Sequence, residues 1–79
     1  MELVDLTEYL VKQILPEVEV KVNNIDSEGD TVIQVLVPSD RMSAVIGKGG
    51  NIANSIRTIV QAAAYNKKLG RVRINIDSL

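Results

Sequence analysis

Between residues 3 and 15 the apolar side chains recur at helical spacing. Leu3, Leu6, Leu10 and Ile14 form a stripe that Val4, Val11 and Leu15 widen. Glu2, Asp5 and Glu8 stand in the first turns, where the helix dipole favours acids, and Pro16 ends the pattern. From 17 to 23 the period drops to two. Val18, Val20 and Val22 oppose Glu19, Lys21 and Asn23, which predicts a half-buried strand. Residues 26–30 are a polar turn. Residues 31–37 predict a second strand with Ile33, Val35 and Val37 on one face. Val32 and Leu36 make its other face more apolar than a solvated sheet needs, as an interior strand or a dimer contact would. Pro38-Ser39-Asp40 stops this strand and is expected to cap a short helix at 40–46 that buries Met42, Val45 and Ile46. A longer helix, roughly 51–65, is expected to bury Ile52 or Ala53, Ile56, Ile59, Val60, Ala63 and Ala64. Residues 66–70 form an exit loop. Residues 71–77 alternate again, with Val72, Ile74 and Ile76 inward and Arg71, Arg73, Asn75 and Asp77 outward. The order α-β-β-α-α-β, in one domain spanning 1–79, points to an α+β fold: three helices packed on one face of a three-stranded sheet.

Composition narrows the function classes. Hydrophobic residues make up 46% of the chain without Phe or Trp, so the core is aliphatic. The absence of cysteine excludes a disulfide scaffold and thiolate metal sites. With no histidine either, the usual zinc, copper and non-haem iron sites are not expected, and no cofactor is called for. Paired carboxylates at Glu17/Glu19 and Asp26/Glu28/Asp30 fall in an exposed strand and turn, away from any nucleophile–base pair, and an EF-hand pattern is missing. Neither an enzyme nor a small-molecule substrate is expected. No apolar run approaches the ~20 residues that span a bilayer. The start is acidic where a signal peptide would be basic, so a cytoplasmic protein without a membrane partner is expected.

The net charge of −1 conceals a dipole. Residues 1–38 carry two lysines against eight carboxylates, for −6; residues 39–79 carry seven cations against two carboxylates, for +5. The cationic half holds the chain's densest glycine cluster, Ile46-Gly47-Lys48-Gly49-Gly50. A Gly-x-x-Gly turn between two helical patterns must allow close backbone approach, since glycine permits positive φ and has no Cβ. The N–H groups that open the following helix, from Asn51, are expected to be unpaired and suited to an anion, and Lys48 adds a mobile cation. A Walker A loop does not fit, because Gly47-Lys48 is followed by glycine instead of Ser or Thr. A dinucleotide fingerprint fails where Ile52 stands at the position of its last glycine. What remains is a phosphate-backbone clamp of the GXXG kind, or a plain tight turn.

The element order, the Ile46–Gly50 motif, the run Ile56-Arg57-Thr58-Ile59-Val60 and the ending at residues 71–77 resemble the type II KH domain. They resemble most the small stand-alone bacterial KH proteins of the KhpA type. One departure is Ala53, where KH domains often carry a large aliphatic residue; Ile52 stands beside it. The resemblance implies single-stranded RNA as the partner. It implies that Gly47, Lys48, Gly49 and Gly50 hold phosphates, with Asn51 at the head of the next helix. Ile46, Ile52 or Ala53, and Ile56 would floor the groove under the bases, Arg71 and Arg73 with the Lys67-Lys68 loop would form its far wall, and Arg57 is a further candidate RNA contact. It further implies an RNA chaperone or post-transcriptional regulator linked to cell shape and cell wall biogenesis. Such a protein acts as a homodimer or beside a larger Jag-like KH-containing protein. Ile59, Val32 and Leu36 offer apolar dimer contacts. The rival class is a KH-fold protein-interaction module that serves mainly as partner to a larger RNA-binding protein. Only Tyr9 and Tyr65 are aromatic, so a stacking platform is not available.

Overall fold

The computed structural model describes residues 2–26 and 28–79. Met1 and Ser27, the latter inside the expected 26–30 turn, lie outside the described residues. The elements run α1 (Leu3–Ile14), β1 (Lys21–Asn24), β2 (Thr31–Val37), a 3-10 turn (Ser39–Arg41), α2 (Met42–Ile46), a second 3-10 turn (Lys48–Gly50), α3 (Asn51–Asn66) and β3 (Val72–Ser78). This is the expected α+β order. The sheet is mixed, in the order β1-β2-β3. β1 runs antiparallel to β2, and β3 runs parallel to it.

β2 is the central strand, and that explains its composition. Ile33, Val35 and Val37 are wholly buried against the helices. On the other face Val32 is also buried, flanked in register by Arg73 and by Ile25, whose N–H donates to the Val32 carbonyl at 2.7 Å. Strand β1 is shorter than the 17–23 alternation predicts. The alternation itself holds, since Val20 is buried and Val18 and Val22 pack on the core. Pairing starts only at Lys21, opposite Leu36; one step earlier the partner strand reaches Val37 and then Pro38, which has no N–H to give.

The buried line of α1 is Leu3, Thr7 and Val11, at i, i+4 spacing, with Leu15 continuing it beyond the helix. Leu6, Leu10 and Ile14 are only partly buried and flank that line. A pattern read from apolar residues passes over Thr7. Its hydroxyl donates to the Leu3 carbonyl at 2.8 Å, which satisfies the group without water. In α3 the buried line is Ala53, Ile56, Val60 and Ala64. Ile59, expected inside, is 47% exposed because it stands a full turn-side away from that line. The expected side-chain cap before α2 is not formed. The Arg41 N–H goes to the Pro38 carbonyl at 2.9 Å instead, and a 3-10 turn leads into the helix. Of the three residues expected to be buried in α2, only Val45 is; Met42 is half-buried and Ile46 is exposed.

Candidate nucleic-acid interface

The segment joining α2 to α3 takes its shape from three glycines with positive φ. Gly47 sits at φ +77°, Gly49 at +65° and Gly50 at +80°. Gly47 has a second reason to be glycine. A Cβ there would stand 2.7 Å from Ile52 Cγ1, so the Ile52 side chain rests directly on the bare Cα. Gly49 is different: a Cβ there would meet open space. The Gly50 N–H returns to the Gly47 carbonyl at 3.2 Å, and the Asn51 N–H goes to the Lys48 carbonyl. The amide of Asn51, expected to stand open at the start of α3, is therefore taken. The loop uses the Gly50 and Asn51 N–H groups to close itself, because its 3-10 geometry brings carbonyls within reach. Lys48 and Gly49 are its exposed tip.

The expected floor residues separate into two kinds. Ala53 and Ile56 are 3% and 4% exposed and belong to the core beneath the loop. Ile46 is exposed at 36%, and Ile52 is half-buried over Gly47. The surface apolar pair next to the glycine loop is therefore Ile46 and Ile52. Of Ile52 and Ala53, Ala53 points inward, where a small residue fits, and Ile52 is the one with apolar surface. Asn51 is exposed at the first position of α3.

Of the expected far wall, Arg71 and Arg73 lie at the β3 edge of the sheet, where Arg57 joins them, and the Lys67-Lys68 loop does not. Arg57, Arg71 and Arg73 line one shallow depression of about 260 Å³ together with Val72, Ile74 and Asn75. Arg57 reaches there from α3: its guanidinium donates to the Ile74 carbonyl at 3.4 Å and to Asn54 Oδ1 at 3.2 Å. Ile74 packs in the core, so by strand alternation Arg73 rises on the opposite face of the sheet and meets Arg57 only around the edge. Lys67 and Lys68 lie at the other end of α3 from the glycine loop, separated by a 16-residue helix of roughly 24 Å. Lys67 lines a different hollow of about 460 Å³, among Glu2, Asp5 and Asp26. Three carboxylates make that hollow unsuited to phosphate.

A residue that pattern reading passed over is Gln61. Its side-chain amide donates to the Gly70 carbonyl at 2.7 Å, and its carbonyl oxygen accepts the Val72 N–H at 3.0 Å. It pairs with the start of β3 as a neighbouring strand would. No periodicity marks such a residue, since it lies between the buried and exposed faces of α3.

Comparison with known proteins agrees with this architecture. Residues 4–76 match the family described as KhpA/KhpB, KH domain. The chain is similar to the RNA-binding protein KhpA of Borreliella burgdorferi, 36% identical over 74 residues that cover 92% of this chain and 89% of that protein. It is similar also to the RNA-binding protein KhpA of Clostridium perfringens, 40% identical over 68 residues covering 82% and 91%. A third such relative, from Aquifex aeolicus, is 34% identical over 68 residues covering 85% and 84%.

Proposed function

The chain belongs to the KhpA/KhpB KH-domain family, a binding family and not an enzyme family, and on that footing we propose that it binds single-stranded RNA and grips its backbone with the Gly47–Gly50 loop. The observation that carries this reading is the loop itself. It presents bare backbone and Lys48 at an exposed tip, with apolar surface from Ile46 and Ile52 beside it. Phosphates approach closely where Cβ atoms are missing, and an exposed ammonium adds attraction without fixed geometry. Bases then lie over Ile46 and Ile52, with Asn51 near the loop. Arg57, Arg71 and Arg73 give the cationic side at the β3 edge, and Ala53 and Ile56 support the floor from below. Lys67 and Lys68 are left out of the groove by their distance along α3.

The relatives named above are called RNA-binding proteins. With few phosphate contacts and a net charge of −1, one domain holds RNA weakly. A second site is the remedy, and we read the protein as a homodimer or as the partner of a larger Jag-like KH protein. In that setting it acts as a cytoplasmic RNA chaperone or regulator. Among the apolar residues proposed for the dimer contact, Ile59 is exposed and Val32 is buried within its own sheet. No helix among the described residues is long and apolar enough to cross a membrane.

Ultraviolet crosslinking to a short single-stranded RNA, with the crosslinked peptides mapped, tests the reading. Crosslinks confined to residues 46–52 and the β3 edge are expected. Crosslinks on α1 and the 26–30 turn in their place would overturn it.

A further inference from the structure

We infer that Gln61 is a positioning residue for RNA: by tying the start of β3 to α3 it fixes Arg71 at the cationic rim. This rests on the RNA reading above. β3 is an edge strand, and its even-numbered residues turn their backbone groups away from β2, as the Val72 N–H on Gln61 shows. An edge of this kind leaves N–H and C=O groups without a ladder partner. Gln61 answers two of them with one side chain, at 2.7 Å and 3.0 Å, because its amide both donates and accepts. The residue between the two tethered positions is Arg71. The approach to it is otherwise loose. Lys68 and Gly70 both have positive φ, and residues 65–71 are exposed throughout. The last backbone bond before Arg71 that ties this loop to α3 is the Leu69 N–H to Ala64. Without Gln61, the start of the strand would lose its tether to α3, leaving Arg57 on the Ile74 carbonyl further along, and the Arg71 guanidinium would sample positions away from Arg57 and Arg73. Ordering a long cation before the RNA arrives removes part of the entropy cost of binding.

The test uses Gln61→Met, Gln61→Glu and Arg71→Ala in the full chain, with a fluorescein-labelled single-stranded RNA of twelve mixed nucleotides as probe. Amide exchange at Val72 should quicken roughly tenfold in Gln61→Met, as loss of one hydrogen bond implies. The same neutral variant should bind RNA roughly three- to tenfold more weakly than wild type, at every pH from 5 to 8. In the Gln61→Met background, Arg71→Ala should cost nothing further, because the two act as a unit. Gln61→Glu, whose carboxylate keeps an acceptor for the Val72 N–H but has lost the donor to the Gly70 carbonyl, should also bind RNA more weakly than wild type at pH 7 and 8. This second variant keeps the question open to measurement if Gln61→Met fails to fold. Wild-type affinity in Gln61→Met despite quickened exchange at Val72 would overturn the inference. So would additive losses with Arg71→Ala, unchanged exchange, or wild-type affinity in Gln61→Glu at pH 8. Failure of the wild-type chain to bind the RNA would refute the RNA reading instead, and the exchange data would still report on the tether.

Discussion

Substituting Gly47 by alanine asks two separate things of the loop, and both are unfavourable. The backbone stands at φ +77°, ψ 174°, a region that side chains with a Cβ scarcely enter. Holding alanine there costs about 1–3 kcal/mol. The new Cβ would also stand 2.7 Å from Ile52 Cγ1 and 3.0 Å from its Cβ and Cδ1. The Ile52 Cβ is fixed to the helix and cannot turn aside, so overpacking adds about 1–3 kcal/mol. Reduced freedom of the unfolded chain returns about 0.4–1 kcal/mol. The net loss is then about 1–6 kcal/mol, against a total stability of about 4–12 kcal/mol for a domain this size. Gly49→Ala provides the comparison. Its backbone is left-handed, at φ 65°, ψ 17°, and its Cβ meets nothing within 4 Å. That variant carries only the left-handed cost of about 1–2 kcal/mol, offset by the same unfolded-state term. Urea unfolding followed by circular dichroism reads both. Gly47→Ala should unfold at the lower midpoint with an unchanged slope. Adding Ile52→Ala should recover the part of the steric share owed to Cγ1 and Cδ1, a coupling of about 0.5–2 kcal/mol, while the Cβ contact remains. Equal midpoints for the two alanine variants would refute the claim that Ile52 is seated on Gly47.

Three further outcomes follow from the same structure. Helix α3 ends in a Schellman motif: the Lys68 N–H bonds Tyr65 and the Leu69 N–H bonds Ala64, both at 3.0 Å, with Lys68 at φ +59° where glycine is usual. Lys68→Gly should therefore stabilise the domain by about 0.5–1 kcal/mol in the same urea assay. Ile33→Val, at the centre of the core, should destabilise it by about 0.5–1.5 kcal/mol. For RNA, the logarithm of affinity should fall against the logarithm of salt with a slope of roughly −2 to −3, at about −0.7 per phosphate. A slope far steeper than this, with no dependence on RNA length, would indicate a broad electrostatic surface in place of a groove.

The elements were legible wherever local pattern and tertiary demand coincide. β2 and β3 alternate because one face of each meets the helices, and both strands lie within a residue of their expected bounds. Legibility failed where a neighbour decided the outcome. β1 is short because Pro38 ends its partner, a fact belonging to another strand. Ile59 lies outside because α3 settles on the narrower line from Ala53 to Ala64, which small residues allow to approach closely, and Ile46 lies outside at the end of α2, where Val45 alone is buried. Apolar type alone does not say which of two adjacent lines will be chosen. Thr7 and Gln61 were passed over for a related reason. Each is a polar residue whose role is fixed by one hydrogen-bonding partner, and that partner becomes visible only with coordinates. Of the candidate site, the positive-φ shape of the glycine loop was readable, since the φ values it needs restrict the residue type. Which floor residues face outward was not, because Ile52 and Ala53 differ by one helix position and only packing separates them.

The central claim is that the exposed tip of the glycine loop holds the RNA backbone. The most direct test is the affinity of a variant carrying both Lys48→Asp and Gly49→Asp for a short single-stranded RNA. Lys48 is exposed, a side chain at Gly49 meets open space, and aspartate is among the residues best tolerated at left-handed φ. The fold should therefore persist, with a wild-type circular dichroism spectrum. The account predicts that this folded variant loses RNA binding altogether, because two carboxylates then face the phosphates. Wild-type affinity in the folded variant would contradict it.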